Sequence, residues 1–385
     1  MKMDWDGGLK QTAEGIPAAK PAPVPVGRAL RDWLSQTFEI SHSNHAVIKS
    51  MEGLRGFAAF LVFLVHYDGL IRPYLAPGTF EHQLNRMLWN VGNAGVDLFF
   101  VLSGYVIYRL LLKKDWQFKG YMLRRIQRIY PTFLVVFGLY LASSIVFPAE
   151  SKIPPSPVHA GIYILENLLF LPGLFDIRPI ITVAWSLSYE FFYYLTVPLT
   201  IIVTGMSSWP RRWRVLLFVS ISIAGFVGNV LLRGEHAQLL MFVAGMLLYE
   251  VTDSKAIKVP PLIGLGALFA ALIAMPVLEW GPWRYVVLYI CFFLLCLDCF
   301  STGGVASRFF SWLPLRWYGN MSYSYYLIHG LALKAAFKVL AIMLPSTAWP
   351  GISLLLLLPV FIVTLIPAVT LFVFVEKPFS LKRGT

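Results

Sequence analysis

From Val47 onward the chain is a succession of long apolar runs separated by short polar breaks. Runs fall near residues 54–71, 92–112, 129–147, 184–204, 214–232, 237–252, 261–278, 284–300, 319–343 and 352–375. A helix needs ~20 predominantly apolar residues to cross the ~30 Å hydrocarbon core of a bilayer. Each run meets or approaches that length, so the expected fold is all-α and polytopic, with about ten transmembrane helices. Composition agrees. Charged residues make up 14% of the chain and hydrophobic ones 57%, against about 25% charged in soluble domains. That charge is too sparse to coat a soluble protein of 385 residues, and lipid must face most of the surface.

The net charge of +12 then reads as topology. Basic clusters at Lys113–Arg128, Arg211–Arg214, Lys255–Lys258, Arg308–Arg316 and Lys377–Arg383 belong in cytoplasmic loops. With ten spans the other loops alternate correctly, and both termini are expected in the cytoplasm. The apolar run at 161–175 is short and interrupted by Pro172 and Gly173. Counting it would break the alternation, so it is expected as an interfacial or re-entrant segment on the far side. Because the charges sit in separate loops, a nucleic-acid partner is not expected. Cys291, Cys296 and Cys299 share one apolar run. Their spacing does not suit a structural metal site, so no metal is expected and they read as packing residues.

Three segments follow. Residues 1–46 form a cytoplasmic N-terminal segment: a polar, Pro- and Ala-rich tail to about residue 26, then Arg28–Ile40 as a surface-lying amphipathic helix or a solvated loop. Residues 47–376 form the transmembrane domain, and 377–385 a short basic cytoplasmic tail. No cleavable signal peptide is evident, and the first span is expected to target the chain.

Ionisable residues inside spans are costly and mark functional candidates. In GLRGFAAFLVFLVHY, Arg55 and His66 lie eleven residues apart and return to one helix face. In NAGVDLFFVLSGYVIY, Asp97 falls at a depth comparable to His66, either to support an imidazole or to sit in a helix's first turn. In KGYMLRRIQRIYP, Arg124, Arg125 and Arg128 share a helical face; guanidinium forks suit phosphate, and plain topological anchoring explains them as well. In AWSLSYEFFYYL, Glu190 lies inside the span with Ser186 and Tyr194 one turn either side. Trp185 and tyrosines such as Tyr189 read as an interfacial belt or as stacking surfaces for sugar rings. In GNMSYSYYLIHG, Ser322, Tyr325 and His329 recur on one face, with His329 either a second active-site histidine or a structural one.

These five motifs, in this order and together with the spans, resemble the acyltransferase-3 family of membrane acyltransferases, over about residues 48–376. The family includes bacterial enzymes that acetylate O-antigen, exopolysaccharide and lipo-chitooligosaccharide nodulation factors. The resemblance implies a bacterial inner-membrane O-acyltransferase. Its Arg-x10-His pattern falls on Arg55 and His66, the histidine being the implied catalytic residue. Its Arg-x-x-Arg pattern falls on Arg125 and Arg128, linked to the acyl-CoA donor, and its aromatic-rich carboxylate falls on Glu190. Some members carry an additional SGNH hydrolase-like domain; with Thr385 ten residues after the last expected span, a stand-alone member is expected.

The expected chemistry is transfer of an acyl group, by resemblance acetyl, from acyl-CoA to a carbohydrate hydroxyl, with no bound cofactor. His66 would act as general base, oriented by Glu190 or Asp97, with an acyl-histidine intermediate as the rival route. Arg55, Arg124, Arg125 and Arg128 would hold the donor on the cytoplasmic face. Trp185, Ser186, Tyr189, Tyr325 and His329 would support the site or the acceptor. A transporter or flippase for a glycolipid is the alternative, since intramembrane charges suit it too; no inverted repeat favours it.

Overall fold

The computed structural model describes residues 26–40, 46–113, 115–232, 236–253, 259–278, 281–301, 304–343 and 350–381. The expected polar tail, residues 1–25, lies outside them, as do the whole basic cluster Lys255–Lys258, Lys114 and the end of the cluster Lys377–Arg383. The chain divides into two units, residues 1–37 and 38–385. In the first, helix α1 (Val26–Phe38) occupies the segment read as amphipathic helix or loop.

The second unit is helical throughout, with no strand among the described residues. Its helices are α2 (Ala46–Ile71), α3 (Phe80–Gly92), α4 (Ala94–Leu111), α5 (Phe118–Val146), α6 (Pro157–Leu168), α7 (Trp185–Thr204) and α8 (Arg211–Leu232). There follow α9 (Leu240–Thr252), α10 (Ile263–Val277), α11 (Pro282–Phe300), α12 (Val305–Phe310), α13 (Leu313–Asn320), α14 (Ser322–Met343) and α15 (Ile352–Leu371). Beyond α15 the chain continues as a π-helical stretch, Phe372–Ser380. Among the described residues, eight helical segments are long and apolar enough to cross a membrane. The runs at Ala237–Thr252 and Ile263–Val277 are apolar but shorter. Large apolar side chains such as Ile145, Val203, Leu231 and Ile342 project outward, as they must where lipid rather than water is the solvent. The protein is integral to a membrane.

Several boundaries differ from the sequence reading. The second span reaches back to Phe80, because α3 and α4 run on through Asn93. Glu81 ties the start of α3 to the start of α15, accepting from the backbone N–H groups of Gly351 and Ser353 at 2.7 and 2.6 Å. The third span begins at Phe118, so the arginine motif is helical. The run at 319–343 is divided between α13 and α14 at Met321. The segment at 161–175 takes in the end of α6, which starts at Pro157 and stops at Leu168 after twelve residues, too few to span. The three cysteines are buried and unbridged.

Helices α4 and α9 approach until backbone meets backbone. A Cβ on Gly104 would lie 2.1 Å from the Phe242 carbonyl oxygen, and one on Gly245 2.0 Å from that of Val101. Small residues at helix crossings permit this closeness inside membranes. It holds α4, which carries Asp97 and Ser103, against the rest of the bundle. Gly104→Ala is therefore expected to cost about 1–3 kcal/mol through overpacking, measured as thermal unfolding in nanodiscs. Gly138→Ala, with open space around it, serves as control. Equal stability of the two variants would refute the close-packing account.

Candidate active site

Two cavities lie side by side among α2, α4, α7 and α14. The first encloses about 130 Å³ and is lined by Arg55, Arg125, Arg128, Glu190 and Ser322 among others. Arg55 reaches it from α2 and donates from Nε to Ser322 Oγ at 3.3 Å. Arg125 comes from α5, its guanidinium over the rings of Tyr121 and Tyr194 at 5.4 Å each. Its Nε is buried and finds no hydrogen-bond partner among the described residues. Arg128 is held differently. It donates to Glu376 Oε1 at 2.6 Å, while Ser324 donates to Glu376 Oε2 from its backbone N–H at 3.0 Å and its hydroxyl at 2.6 Å. Glu190 Oε1 accepts from Tyr194 at 2.5 Å and from Ser103 at 3.1 Å. Three guanidiniums thus face one carboxylate across a confined space. An excess of buried positive charge is what an anionic ligand would complete.

The second cavity, about 140 Å³, is lined by His66, Asp97, Trp185, Arg284 and others. Val96 and Tyr326 line both cavities. The hydrogen bonds of His66 fix its tautomer. Its Nδ1 lies 2.9 Å from the Val62 carbonyl, which can only accept, so that nitrogen carries a proton. The same Nδ1 lies 3.3 Å from His329 Nε2. His329 Nδ1 meets two carbonyls, Tyr325 O at 3.1 Å and Tyr326 O at 2.8 Å, so it also bears hydrogen and its Nε2 is the acceptor. His66 Nε2 remains as a lone pair on a ring that lines the cavity, the form a general base requires. His329 is wholly buried and stacks on Tyr325, with ring centroids 5.3 Å apart. Tyr325 in turn is hydrogen-bonded to Thr364 at 3.0 Å.

The link before α7 roofs this second space. Lys152 ties it down through Pro179 O at 2.8 Å, Ile180 O at 3.3 Å and Thr182 Oγ1 at 3.2 Å. Burial lowers its ammonium pKa to about 8. Asn167 Oδ1 accepts from the Ile180 N–H at 2.8 Å.

The sequence candidates therefore separate into two groups. Arg55, Arg125, Arg128 and Glu190 meet, whereas Arg124, expected on the same face, is exposed and lines neither cavity; α5 turns it outward. Asp97 and Trp185 join His66. Glu190 does not, and among the described residues neither carboxylate hydrogen-bonds the imidazole; His329 and the Val62 carbonyl do so instead. Ser186 lines the first cavity with Glu190 but hydrogen-bonds Tyr326 at 2.7 Å instead of the carboxylate. Tyr189 bonds His236 Nδ1 at 2.6 Å. The sequence reading missed Arg284, Tyr326, Ser103 and Glu376. Glu376 had a signal, a lone carboxylate in the apolar run FVFVEKP. Ser103 and Tyr326 had none, since each is chosen by which helix lies opposite.

A lipid-embedded helical bundle thus sets an arginine-lined cavity beside a cavity lined by a histidine. Residues 48–373 match the family described as the acyltransferase domain, acyltransferase-3; the chain belongs to this family and is an acyltransferase. It is 28% identical to the exopolysaccharide production protein ExoZ of Rhizobium meliloti (strain 1021) over 268 residues, covering 65% of this chain and 79% of that one. It is 35% identical to the acyltransferase MdmB of Streptomyces mycarofaciens over 160 residues, 40% of this chain and 38% of that one. It is 25% identical to the peptidoglycan O-acetyltransferase OatA of Listeria monocytogenes over 345 residues, 78% of this chain and 51% of that one. The chain thus spans about half or less of the length of the latter two. No solved structure matches. The transport alternative draws no support from these relatives.

The ion pair at Glu376 yields a stability prediction. Glu376 is 0% exposed, and removing one partner of a buried pair strands the other charge. Arg128→Ala is expected to destabilise the protein by about 3–5 kcal/mol, with much of the loss recovered in the Arg128→Ala/Glu376→Gln double variant. Wild-type thermal stability of the single variant would show that the pair does not hold the bundle.

Proposed function

We propose that the protein is an O-acyltransferase that moves an acyl group, acetyl in the first instance, from cytoplasmic acyl-CoA to a hydroxyl of an exported or cell-surface carbohydrate. The observation that carries this reading is the pairing of the two cavities. One concentrates guanidiniums, the other is lined by His66 with its Nδ1 turned to the Val62 carbonyl, and Val96 and Tyr326 line both. Family membership and the relatives named for exopolysaccharide production and peptidoglycan O-acetylation support the substrate class.

In this reading all ten apolar runs cross the inner membrane, the shorter α9 and α10 included, with both termini cytoplasmic. Arg55 and Arg125 meet the donor's anionic end, and Arg128 adds charge while anchored to Glu376. The pantetheine arm passes Val96 and Tyr326 and brings the thioester to His66. The acceptor hydroxyl gives its proton to His66 Nε2 as its oxygen attacks the thioester carbonyl. The tetrahedral intermediate collapses, the C–S bond breaks, and the CoA thiolate leaves with the proton returned by the imidazolium. His329 is a positioning residue that keeps the His66 proton on Nδ1. Glu190, fixed by Tyr194 and Ser103, orients the arginines rather than the imidazole. With the base supplied directly, an acyl-histidine intermediate is not required.

Two outcomes test the assignment. In purified protein, His66→Ala is expected to lower acetyl transfer by about 10²–10⁴-fold, the usual worth of a general base, with membrane insertion intact. Near-normal turnover would refute the role. Arg125→Ala is expected to weaken CoA binding about tenfold, ~1.4 kcal/mol, by calorimetry. It is a cleaner probe than Arg128, which is tied to stability; unchanged affinity would return the arginine motif to a topological role.

A further inference from the structure

Between the end of α6 at Leu168 and the start of α7 at Trp185, residues 169–184 run as one non-helical link. Links longer than ~12–15 residues are uncommon in compact folds and are usually functional. The first half of this one is forced into shape. Phe170 holds φ at 55° and Gly173 at 91°, a region uncommon for any residue but glycine. The Phe170 ring is wedged against Tyr130, Phe133 and Phe191, with centroids 5.3, 4.6 and 5.6 Å away. A Cβ on Gly173 would lie 2.7 Å from the Trp185 carbonyl oxygen, so this turn is pressed against the start of α7. Strained backbone persists only where its surroundings over-determine it, and it gathers at ligand clamps and switches.

The second half separates two spaces. Ile180 lines a small cavity of about 30 Å³ together with Lys152, whereas Thr182 and Val183 line the His66 cavity. At its two ends this stretch is held by helices: Tyr163 of α6 donates to the Arg178 carbonyl at 2.7 Å, and Tyr326 of α14 to that of Val183 at 3.0 Å. Between them stands Lys152. An ammonium has three protons to donate, and its three acceptors, Pro179 O, Ile180 O and Thr182 Oγ1, all belong to this stretch. The turn that carries Lys152 is itself fastened to α14, where Glu150 pairs with Lys338 at 2.7 Å.

Closure matters because of what lies beneath. A base that activates a carbohydrate hydroxyl activates water equally well. A water at His66 would attack the thioester carbonyl and give a proton to the imidazole; the C–S bond would break, the CoA thiolate would take that proton, and acetic acid would be left. Shutting water out of a site suppresses such side reactions. We propose that residues 176–184 are a strap that closes the His66 cavity to water, with Lys152 as its latch, a positioning residue that lets acyl transfer outrun hydrolysis of the thioester. The hydrolysis part rests on the reading of the His66 cavity as the place where the thioester is attacked; the strap itself does not.

The test uses the purified full-length protein in nanodiscs. Val183→Cys puts a thiol in the cavity wall, and its rate of labelling by a charged, water-soluble methanethiosulfonate measures how often water reaches that wall. Lys152→Met keeps the stem and removes the donors. It is expected to speed labelling at Val183→Cys about tenfold, the worth of one hydrogen bond from a charged group. Lys152→Arg, which keeps charge and donors, is expected to restore most of the protection. Cys291, Cys296 and Cys299 are buried and register global unfolding in the same sample. With radiolabelled acetyl-CoA and no acceptor, Lys152→Met alone is expected to release acetate about tenfold faster than the wild type, and the gain to vanish in Lys152→Met/His66→Ala. Equal labelling with and without Lys152→Met, an equal rise in Lys152→Arg, or a rise matched at the three native cysteines would overturn the latch. Faster labelling without faster acetate release overturns the water seal. Absence of acetyl-CoA turnover in every variant, with the labelling difference intact, overturns the acyl-transfer reading and leaves the strap standing.

Discussion

A fully buried carboxylate governs the arrangement of the bundle. Glu376 lies near the end of the chain, in surroundings where an ionised group is tolerated only if both its oxygens are met. Arg128 from α5 takes one oxygen, and Ser324 from α14 takes the other. Three segments remote in sequence are thereby pinned at one point. That point stands directly behind the arginine cavity, since Arg128 and Tyr323 both line it. The same contact that stabilises the fold therefore sets the width and charge of the space proposed for the donor.

The second cavity depends on hydrogen-bond direction rather than on ion pairing. Carbonyls can only accept, and three of them, from Val62, Tyr325 and Tyr326, dictate where protons reside on two histidines. The helices that supply these carbonyls do so because each histidine folds back on its own preceding turn. The imidazole is thus oriented by backbone geometry, and among the described residues neither Asp97 nor Glu190 hydrogen-bonds it. Among the described residues, Asp97 Oδ1 has no hydrogen-bond partner. The carboxylates line different cavities: Glu190 with the guanidiniums, Asp97 with the histidine.

Legibility in the sequence followed the range of the forces involved. His66 stood out because a titratable residue deep in an apolar run is costly wherever its neighbours lie. Arg125 and Arg128 stood out through spacing along one helix. Arg124 was grouped with them because spacing gives a shared face but not the direction in which that face points; α5 presents Arg125 and Arg128 inward and Arg124 outward. Glu190 was linked to His66 by depth alone, and two residues at one depth in a bundle can still line different cavities.

The amino-acid sequence by itself determined that this chain is a helical membrane protein, because hydrophobic length and scarcity of charge are local properties that no partner can alter. Its ordered motifs also carried the acyltransferase resemblance that family membership bears out. Only the tertiary structure decided which charges share a space, that His329 rather than a carboxylate bonds His66, and that Asp97 and Arg284 line the His66 cavity. Those facts depend on contacts between helices hundreds of residues apart, such as His66 with His329 and Arg128 with Glu376. Such contacts are set by how whole helix faces pack, and no periodicity within a single helix records them.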